Sequence, residues 1–249
     1  MSLGKIIAER KNKKIYVDGD KVIKVFDPEF SKADVLNEAL NQARVESTDL
    51  HIPKLINVGK VDDKWTITMD YIEGKTLEQI MKEDPKNLDK HLEFFVDLQM
   101  TVHAQKAPLL NKITDKMKRK ISESPIDEET KYNLHTRLNG MPKHSKVCHG
   151  DFNPSNIIIS KDGTPYIIDW SHATQGNASA DVARSYLLFS LNYSKEIADK
   201  YLDLFAKKSN TEKQYILKWI PIVAASQLVK GKENEREFLL RWTDVVEYE

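Results

Sequence analysis

Residues 147–156 read Val147-Cys148-His149-Gly150-Asp151-Phe152-Asn153-Pro154-Ser155-Asn156, and Tyr166-Ile167-Ile168-Asp169-Trp170 follows ten residues later. Apolar runs at 146–148, 156–160 and 165–168 are bounded by turn residues, which is the pattern of short strands. Lys161-Asp162-Gly163-Thr164 carries an Asp-Gly pair between the last two and reads as a hairpin turn. Such a hairpin sets Asn156 and Asp169 side by side at one end, with a third oxygen-bearing residue, Asp151, one loop away. Read singly, Asp151 and Asn156 are ordinary turn formers. Read together, they supply what phosphoryl transfer asks of a protein: a carboxylate to orient a hydroxyl, and hard oxygen ligands for magnesium.

The order His149-Gly150-Asp151, four residues, Asn156, then Ile168-Asp169-Trp170 resembles the signature of the aminoglycoside phosphotransferase/choline kinase-like family of small-molecule kinases. That family is a branch of the protein-kinase-like fold, in which the same order reads His-Arg-Asp, Asn, Asp-Phe-Gly. The resemblance implies that Asp151 is the catalytic base and that Asn156 and Asp169 bind Mg2+. It implies ATP as phosphate donor, with GTP the alternative. His149 would be a structural residue bracing the loop, as a His before a Gly in a tight loop commonly is.

Working outward, the first part of the chain alternates apolar and polar residues at Lys5–Glu9, Lys14–Val17 and Lys21–Phe26, with Asp18-Gly19-Asp20 as a turn. A helix is expected from Ser31, then strands at Ile56–Val61 and Trp65–Met69 joined by Asp62-Asp63. Val22-Ile23-Lys24-Val25-Phe26 resembles the family strand whose lysine contacts nucleotide phosphates, and Glu38 stands on the next helix where the partner of that lysine is expected. By the same resemblance Met69 borders the adenine pocket, and the backbone of Asp70 and Ile72 forms the adenine-binding hinge. Asp70–Lys75 reads as a polar connector, and Thr76 as the cap of a helix from Leu77. Helices follow at Leu88–Ala104, Thr114–Lys120 and Glu128–Leu138, and again from about Ala180, Lys195, Thr211 and Lys232. Asp181 resembles the family aspartate that opens a helix and braces the catalytic loop. The fold class is α+β, a two-lobed protein-kinase-like fold. Residues 1–69 form a small β-rich N-lobe, 70–75 a hinge, and 76–249 a larger, mainly helical C-lobe holding the acceptor.

The 249 residues are 40% hydrophobic and 31% charged, with 38 Lys plus Arg balancing 38 Asp plus Glu. Zero net charge gives no field to attract a polyanion, which argues against nucleic acid as a partner. No run approaches the roughly 20 apolar residues of a membrane helix, and the first residues lack a signal-peptide core. A lone cysteine, Cys148, excludes an internal disulfide. These features favour the cytoplasm; a monomer or weak dimer is expected, and the resemblance implies a small-molecule hydroxyl acceptor.

The resemblance implies as acceptor an aminoglycoside, a choline-like alcohol, a sugar or a related hydroxyl compound. From Lys200 onward, nine basic residues face eight acidic ones, so no acidic bias invites a cationic aminoglycoside. Glu233, Glu235, Glu237, Asp244, Glu247 and Glu249, interleaved with Lys230, Lys232, Arg236 and Arg241, read better as a solvated, salt-bridged surface. Trp170, Trp219, Trp242 and Tyr215 are available for a choline-like cation, with Trp170 and His172 nearest the metal-binding aspartate. There are departures from protein kinases. The segment Glu9–Ile15, expected to cover the phosphates, has no glycine but carries Arg10-Lys11-Asn12-Lys13-Lys14. Asn153 replaces the usual lysine two after the base, and no Ala-Pro-Glu follows Asp169. The competing readings are a protein kinase, against which these departures count, and a catalytically inactive nucleotide-binding scaffold.

Overall fold

Period-two patterning in the first seventy residues produces a five-stranded antiparallel sheet in the computed structural model, which describes residues 4–10 and 12–243. In chain order the elements begin with β1 (Lys5–Arg10), β2 (Lys13–Asp18), β3 (Lys21–Phe26), α1 (Lys32–Val45), β4 (Leu55–Val61), β5 (Lys64–Asp70), β6 (Gly74–Thr76) and α2 (Leu77–Glu83). Then come α3 (Leu88–Ala104), α4 (Ile113–Glu123), α5 (Glu128–Gly140), β7 (Lys146–Cys148), β8 (Ile157–Ser160), β9 (Pro165–Ile167) and β10 (Thr174–Gly176). The remainder is α6 (Ala178–Asn192), α7 (Lys195–Ser209), α8 (Lys213–Leu217), α9 (Ile220–Leu228) and α10 (Glu233–Leu240). The architecture is α+β, with the strands concentrated toward the N-terminus and the helices after them.

The chain divides into two compact units. One takes the residues up to Pro85 together with Pro154–His172. Its main sheet runs β1-β2-β3-β5-β4, and a second sheet runs β6-β8-β9. The β4–β5 turn places Asp62 and Asp63 at φ 49° and 60°, the left-handed pair that suits a two-residue hairpin. Helix α1 packs on β4 and β5, and its Val35 and Ala39 close a core with Phe26, Ile67 and Met69. The other unit takes Lys86–Asn153 and the residues from Ala173 onward, and carries the two-stranded β10-β7 sheet among helices. There Phe95 gathers Phe152, Phe189 and Tyr201 around it at centroid distances of 4.7–5.6 Å, the offset and edge packing that aromatic quadrupoles favour.

Caps decide several helix starts. Thr76 accepts from the Gln79 N–H while the Gln79 side chain returns to the Thr76 N–H, a complete capping box. Asn177 caps α6 through the Ser179 N–H, and Asp127 caps α5 through the Thr130 N–H. Ser31 precedes α1 but makes no side-chain cap bond.

Three local expectations are corrected. Asn156 does not open a strand: it ends a 3-10 turn, Pro154–Asn156, and β8 begins at Ile157. The fixed φ of Pro154, without an N–H, suits the start of such a turn. The stretch read as connector contains β6, whose Gly74 pairs with Ser160. A Cβ at Gly74 would sit 2.2 Å from the Ile159 carbonyl oxygen, so only glycine permits that pairing. Finally, the helix expected from Thr211 is two, α8 and α9. All nine α9 residues are buried, so no amphipathic period marks it, and Pro221 sits in its first turn.

Candidate active site

The charged cluster in the first unit starts from strand alternation. Val22, Lys24 and Phe26 share one face of β3; Phe26 is fully buried and Lys24 is 8% exposed. An ammonium at that depth needs carboxylates, and α1 supplies one because Glu38 falls on its inner face beside Val35 and Ala39. Lys24 Nζ lies 2.6 Å from Glu38 Oε1 and 3.5 Å from Asp169 Oδ1. Burial alone would lower the Lys24 pKa, but Asp169 and Glu38 reverse that and hold it well above the usual lysine value. Lys13 on β2 reaches the same two carboxylates, at 3.6 Å from Glu38 Oε2 and 3.9 Å from Asp169 Oδ2. Two lysines and two carboxylates therefore alternate.

Asp169 enters this cluster with φ 64°, a left-handed conformation that a non-glycine residue adopts only where its surroundings impose it. The imposition is visible. Trp170 folds back so that its indole Nε1 donates to the Ile167 carbonyl at 3.0 Å. Asn41 of α1 donates to the Ser171 carbonyl at 3.2 Å. On the other arm of the hairpin, Ile157 pairs with Ile167, and the Ile168 N–H donates to the Asn156 carbonyl at 2.9 Å. The register thus sets Asn156 next to the Ile168-Asp169 step. Trp170, expected to border the acceptor, is 1% exposed and a core residue, and that expectation is corrected by its packing; Trp219 is buried as well.

At the end of β5, Met69 belongs to the core cluster. Asp70 donates its N–H to the Lys54 carbonyl at 3.1 Å, and its carboxylate accepts from the Lys54 N–H at 3.0 Å. Tyr71 turns the other way and donates to Asp20 at 2.8 Å.

The second unit holds the loop with Asp151. Gly150 has φ 79°, which glycine adopts without penalty. The buried Asp181 carboxylate near the start of α6 accepts from the Gly150 N–H at 2.6 Å and the His149 N–H at 3.2 Å, and its Oδ2 lies 3.0 Å from His103 Nε2. Burial pushes the Asp181 pKa up, but His103, His149 and the Gly150 N–H outweigh it, so the group stays below the ordinary aspartate value. The His149 ring is fully buried and its Nδ1 accepts from the Asp151 N–H at 3.2 Å. It braces the loop and is not aimed at a reacting atom.

Asp151 itself is half-buried, with Arg184 Nη2 at 3.2 Å from Oδ1 and Asn153 Nδ2 at 3.4 Å from Oδ2. The next residue anchors the loop from below: the Phe152 carbonyl accepts from Ser185 at 2.7 Å, Ser185 from Gln99 at 3.1 Å, and Gln99 from Tyr201 at 2.6 Å. Cys148 is buried, and burial followed by the Asp181 charge raises its thiol pKa well above normal, which leaves no thiolate for nucleophilic chemistry.

Sequence reasoning singled out Lys24, Glu38, Asn156 and Asp169, and the structure brings these together in one unit. It missed Arg184, although its spacing of three from Asp181 puts both on the loop-facing side of one helix. Lys13 was visible only as one of a basic run. Lys11 of that run, and Asp244, Glu247 and Glu249 of the acidic set, lie outside the described residues. The described members of that set behave as a solvated face, with Glu235 paired to Lys232 and Glu237 to Arg241.

The donor set suits a hard divalent cation. No group of three or more His, Cys, Asp or Glu among the described residues is arranged to hold a metal. One carboxylate and one amide, Asp169 and Asn156, match instead the sparse protein ligation of magnesium that arrives with nucleotide phosphates.

The profile of the phosphotransferase enzyme family APH matches residues 5–215. The chain belongs to this family. No curated protein sequence matches it. Among solved structures, this family member is similar to a thermostable mutant of aminoglycoside phosphotransferase APH(4)-Ia in ternary complex with ADP and hygromycin B. The TM-score is 0.68 at 13% identity, over 95% of this chain and 90% of that one. LicA in complex with AMP gives 0.66 at 16% identity, over 97% and 91%. ADP-bound APH(2'')-Ib gives 0.58 at 18% identity, over 96% and 89%. At these identities the likeness is one of fold, the protein-kinase-like fold. As an APH-family member the protein is a kinase-type phosphotransferase. No helix among its described residues is long and apolar enough to cross a membrane.

Proposed function

We propose that this phosphotransferase uses ATP and magnesium to phosphorylate a hydroxyl of a small molecule. In this account Asp151 is the base, Lys24 and Lys13 bind the nucleotide phosphates, and Asn156 and Asp169 ligate the metal. The observation that carries it is the position of Lys24 Nζ, bonded to Glu38 at 2.6 Å and 3.5 Å from Asp169. A scaffold has no need to bury a lysine against two carboxylates, one of them in a strained backbone conformation. Absence of a glycine loop is offset by Lys13, which brings a second cation to the phosphates.

Met69 lines the adenine, and the main chain of Asp70 and Ile72 meets its edge. The alternation at Asp70 and Tyr71, whose N–H groups turn to opposite neighbours, supports this. In the chemical step the acceptor oxygen bonds to the γ-phosphorus, the bond from that phosphorus to the β–γ bridging oxygen breaks, and ADP leaves. The hydroxyl proton passes to the Asp151 carboxylate and then to solvent. Asp151 mainly orients the hydroxyl, because the transition state is loose and little proton transfer precedes it. Arg184 and Asn153 fix its rotamer. Magnesium, when bound with nucleotide, neutralises charge on the transferring phosphoryl group.

The test is thermal unfolding with AMP-PNP, with and without magnesium, followed by ATP consumption across a panel of alcohols. Magnesium-dependent stabilisation and acceptor-dependent ADP release are expected. Neither effect, across the panel, would reduce the protein to a scaffold.

A further inference from the structure

The second unit holds a cluster of basic side chains around Asp151. Arg184 is 4% exposed, and only Nη2 is used, on Asp151; Nε and Nη1 are buried with no hydrogen-bond partner. A guanidinium cannot escape burial by losing its proton, so unmet donors there are costly. Helix α4 packs on α9, and α9 on α6, which carries Arg184. Lys116 and Lys120 lie one turn apart on α4, hence on one face, and Lys230 follows the end of α9. Among the described residues neither Lys120 nor Lys230 has an ion-pair partner.

The charges sense one another. Burial lowers the Lys116 pKa to about 7, with Lys120 and Lys230 adding to the shift. Burial and Arg184 lower Lys230 to about 8, and burial with Arg184 lowers Lys120 too. Asp181, Glu123 and Asp151 oppose them, one against each of Lys116, Lys120 and Lys230. Arg184 and three lysines, each lysine depressed by desolvation and by neighbouring cations, form a predominantly basic site.

We propose that the acceptor is an anionic alcohol, one whose hydroxyl goes to Asp151 while a carboxylate or phosphate monoester on the same molecule is held by Arg184, Lys116, Lys120 and Lys230. This rests on the phosphotransferase reading and deepens it. An oxyanion satisfies the idle Arg184 N–H groups and neutralises the lysines. A polycationic aminoglycoside or a quaternary amine meets a site of like charge there and is repelled.

The test fills the nucleotide site first. The full chain, saturated with magnesium and AMP-PNP, is titrated calorimetrically with sulfate, standing for a phosphate monoester, and with malonate, standing for a carboxylate. The same titration is run on Lys120→Met/Lys230→Met, whose wild-type side chains are partly exposed, with circular dichroism and thermal unfolding checking that the variant is folded. Saturable binding to the parent, at least tenfold weaker in the variant, is expected; whichever anion binds identifies the class. Glycerol, glycerate and glycerol 3-phosphate then serve as a matched series, the anionic members showing the lower KM and losing that advantage in the variant. No saturable anion binding, equal binding to the variant, or binding only while the nucleotide site is empty would overturn the proposal, the last assigning the cluster to nucleotide phosphates. Failure of AMP-PNP itself to bind would instead count against the phosphotransferase reading.

Discussion

Arg184 Nη2 lies 3.2 Å from Asp151 Oδ1, and both belong to the same unit as the Asp181 carboxylate that grips the loop through the His149 and Gly150 N–H groups. The position of the Asp151 carboxylate is therefore set by α6 twice over, once through backbone and once through side chain. Asp181 and Arg184 stand three residues apart on that helix. A single rigid element holds both contacts, so the carboxylate rotamer is defined before any acceptor arrives, which is the preorganisation that positioning catalysis requires.

Asp181→Ala leaves two loop N–H groups and His103 without their acceptor. Each buried orphan costs about 1–3 kcal/mol, so a loss of at least about 3 kcal/mol is expected in denaturant unfolding. The group also predicts an acid limb. Its folded pKa lies below the ordinary 3.8, so its stabilisation is complete above that value and fades as pH falls through the folded value. Unfolding measured from pH 5 to 2.5 should fall more steeply for the parent than for Asp181→Asn.

Lys24→Met takes the nearer lysine from Glu38 and Asp169 and leaves them the looser contacts of Lys13. Removing one partner of a buried pair costs about 3–5 kcal/mol, and chemical denaturation should register it. The double change Lys24→Met/Glu38→Leu should recover much of that stability without recovering nucleotide binding. If the double variant bound nucleotide normally, the phosphate role of Lys24 would be wrong.

Lys13→Met is expected to act differently. Lys13 sits 3.6 Å and 3.9 Å from its carboxylates and is the looser of the two lysines. Stability should change little, while the KM for ATP rises about tenfold, the equivalent of one charged contact of about 1.4 kcal/mol. An unchanged KM would leave Lys13 a structural counterion.

How much of this was legible in the sequence follows the physics of each signal. Strands β1–β5 and β7–β9, and α3, could be read because strand alternation and helical spacing act locally, whereas the Lys24–Glu38 pairing was implied by the family resemblance. Asn156 and Asp169 came together as expected because a four-residue turn fixes the hairpin. Helix α9 gave no period because every side is buried, and β6 gave none because three residues around Gly74 are too few. Trp170 was misread since its indole finds a partner three residues back, a contact with no sequence mark. The Arg184–lysine cluster draws on α4, α6 and the end of α9, and no local pattern announces a meeting of elements dozens of residues apart.

Sulfate, whose charge is constant across neutral pH, should lose affinity as pH rises from 6.5 to 9. Lys116 near 7 faces Lys120, Lys230, Arg119 and Asp181, and Lys230 near 8 faces Arg184, Asp151, Lys120 and Lys232. Both lysines surrender protons over that interval, and an anion favours their charged forms. Binding at pH 7.5 should therefore take up protons, which calorimetry in buffers of different ionisation enthalpy detects.

The most direct measurement of the central claim is a comparison of Asp151→Asn and Asp169→Asn, each assayed for magnesium–AMP-PNP affinity and for ATP turnover with an accepted alcohol. Removal of a positioned base typically costs 10²–10⁴ in rate. Asp151→Asn should lose about a hundredfold or more in kcat with nucleotide affinity within about threefold of the parent, whereas Asp169→Asn should lose magnesium-dependent affinity itself. Near-normal turnover in Asp151→Asn, or unchanged magnesium-dependent binding in Asp169→Asn, would contradict the account.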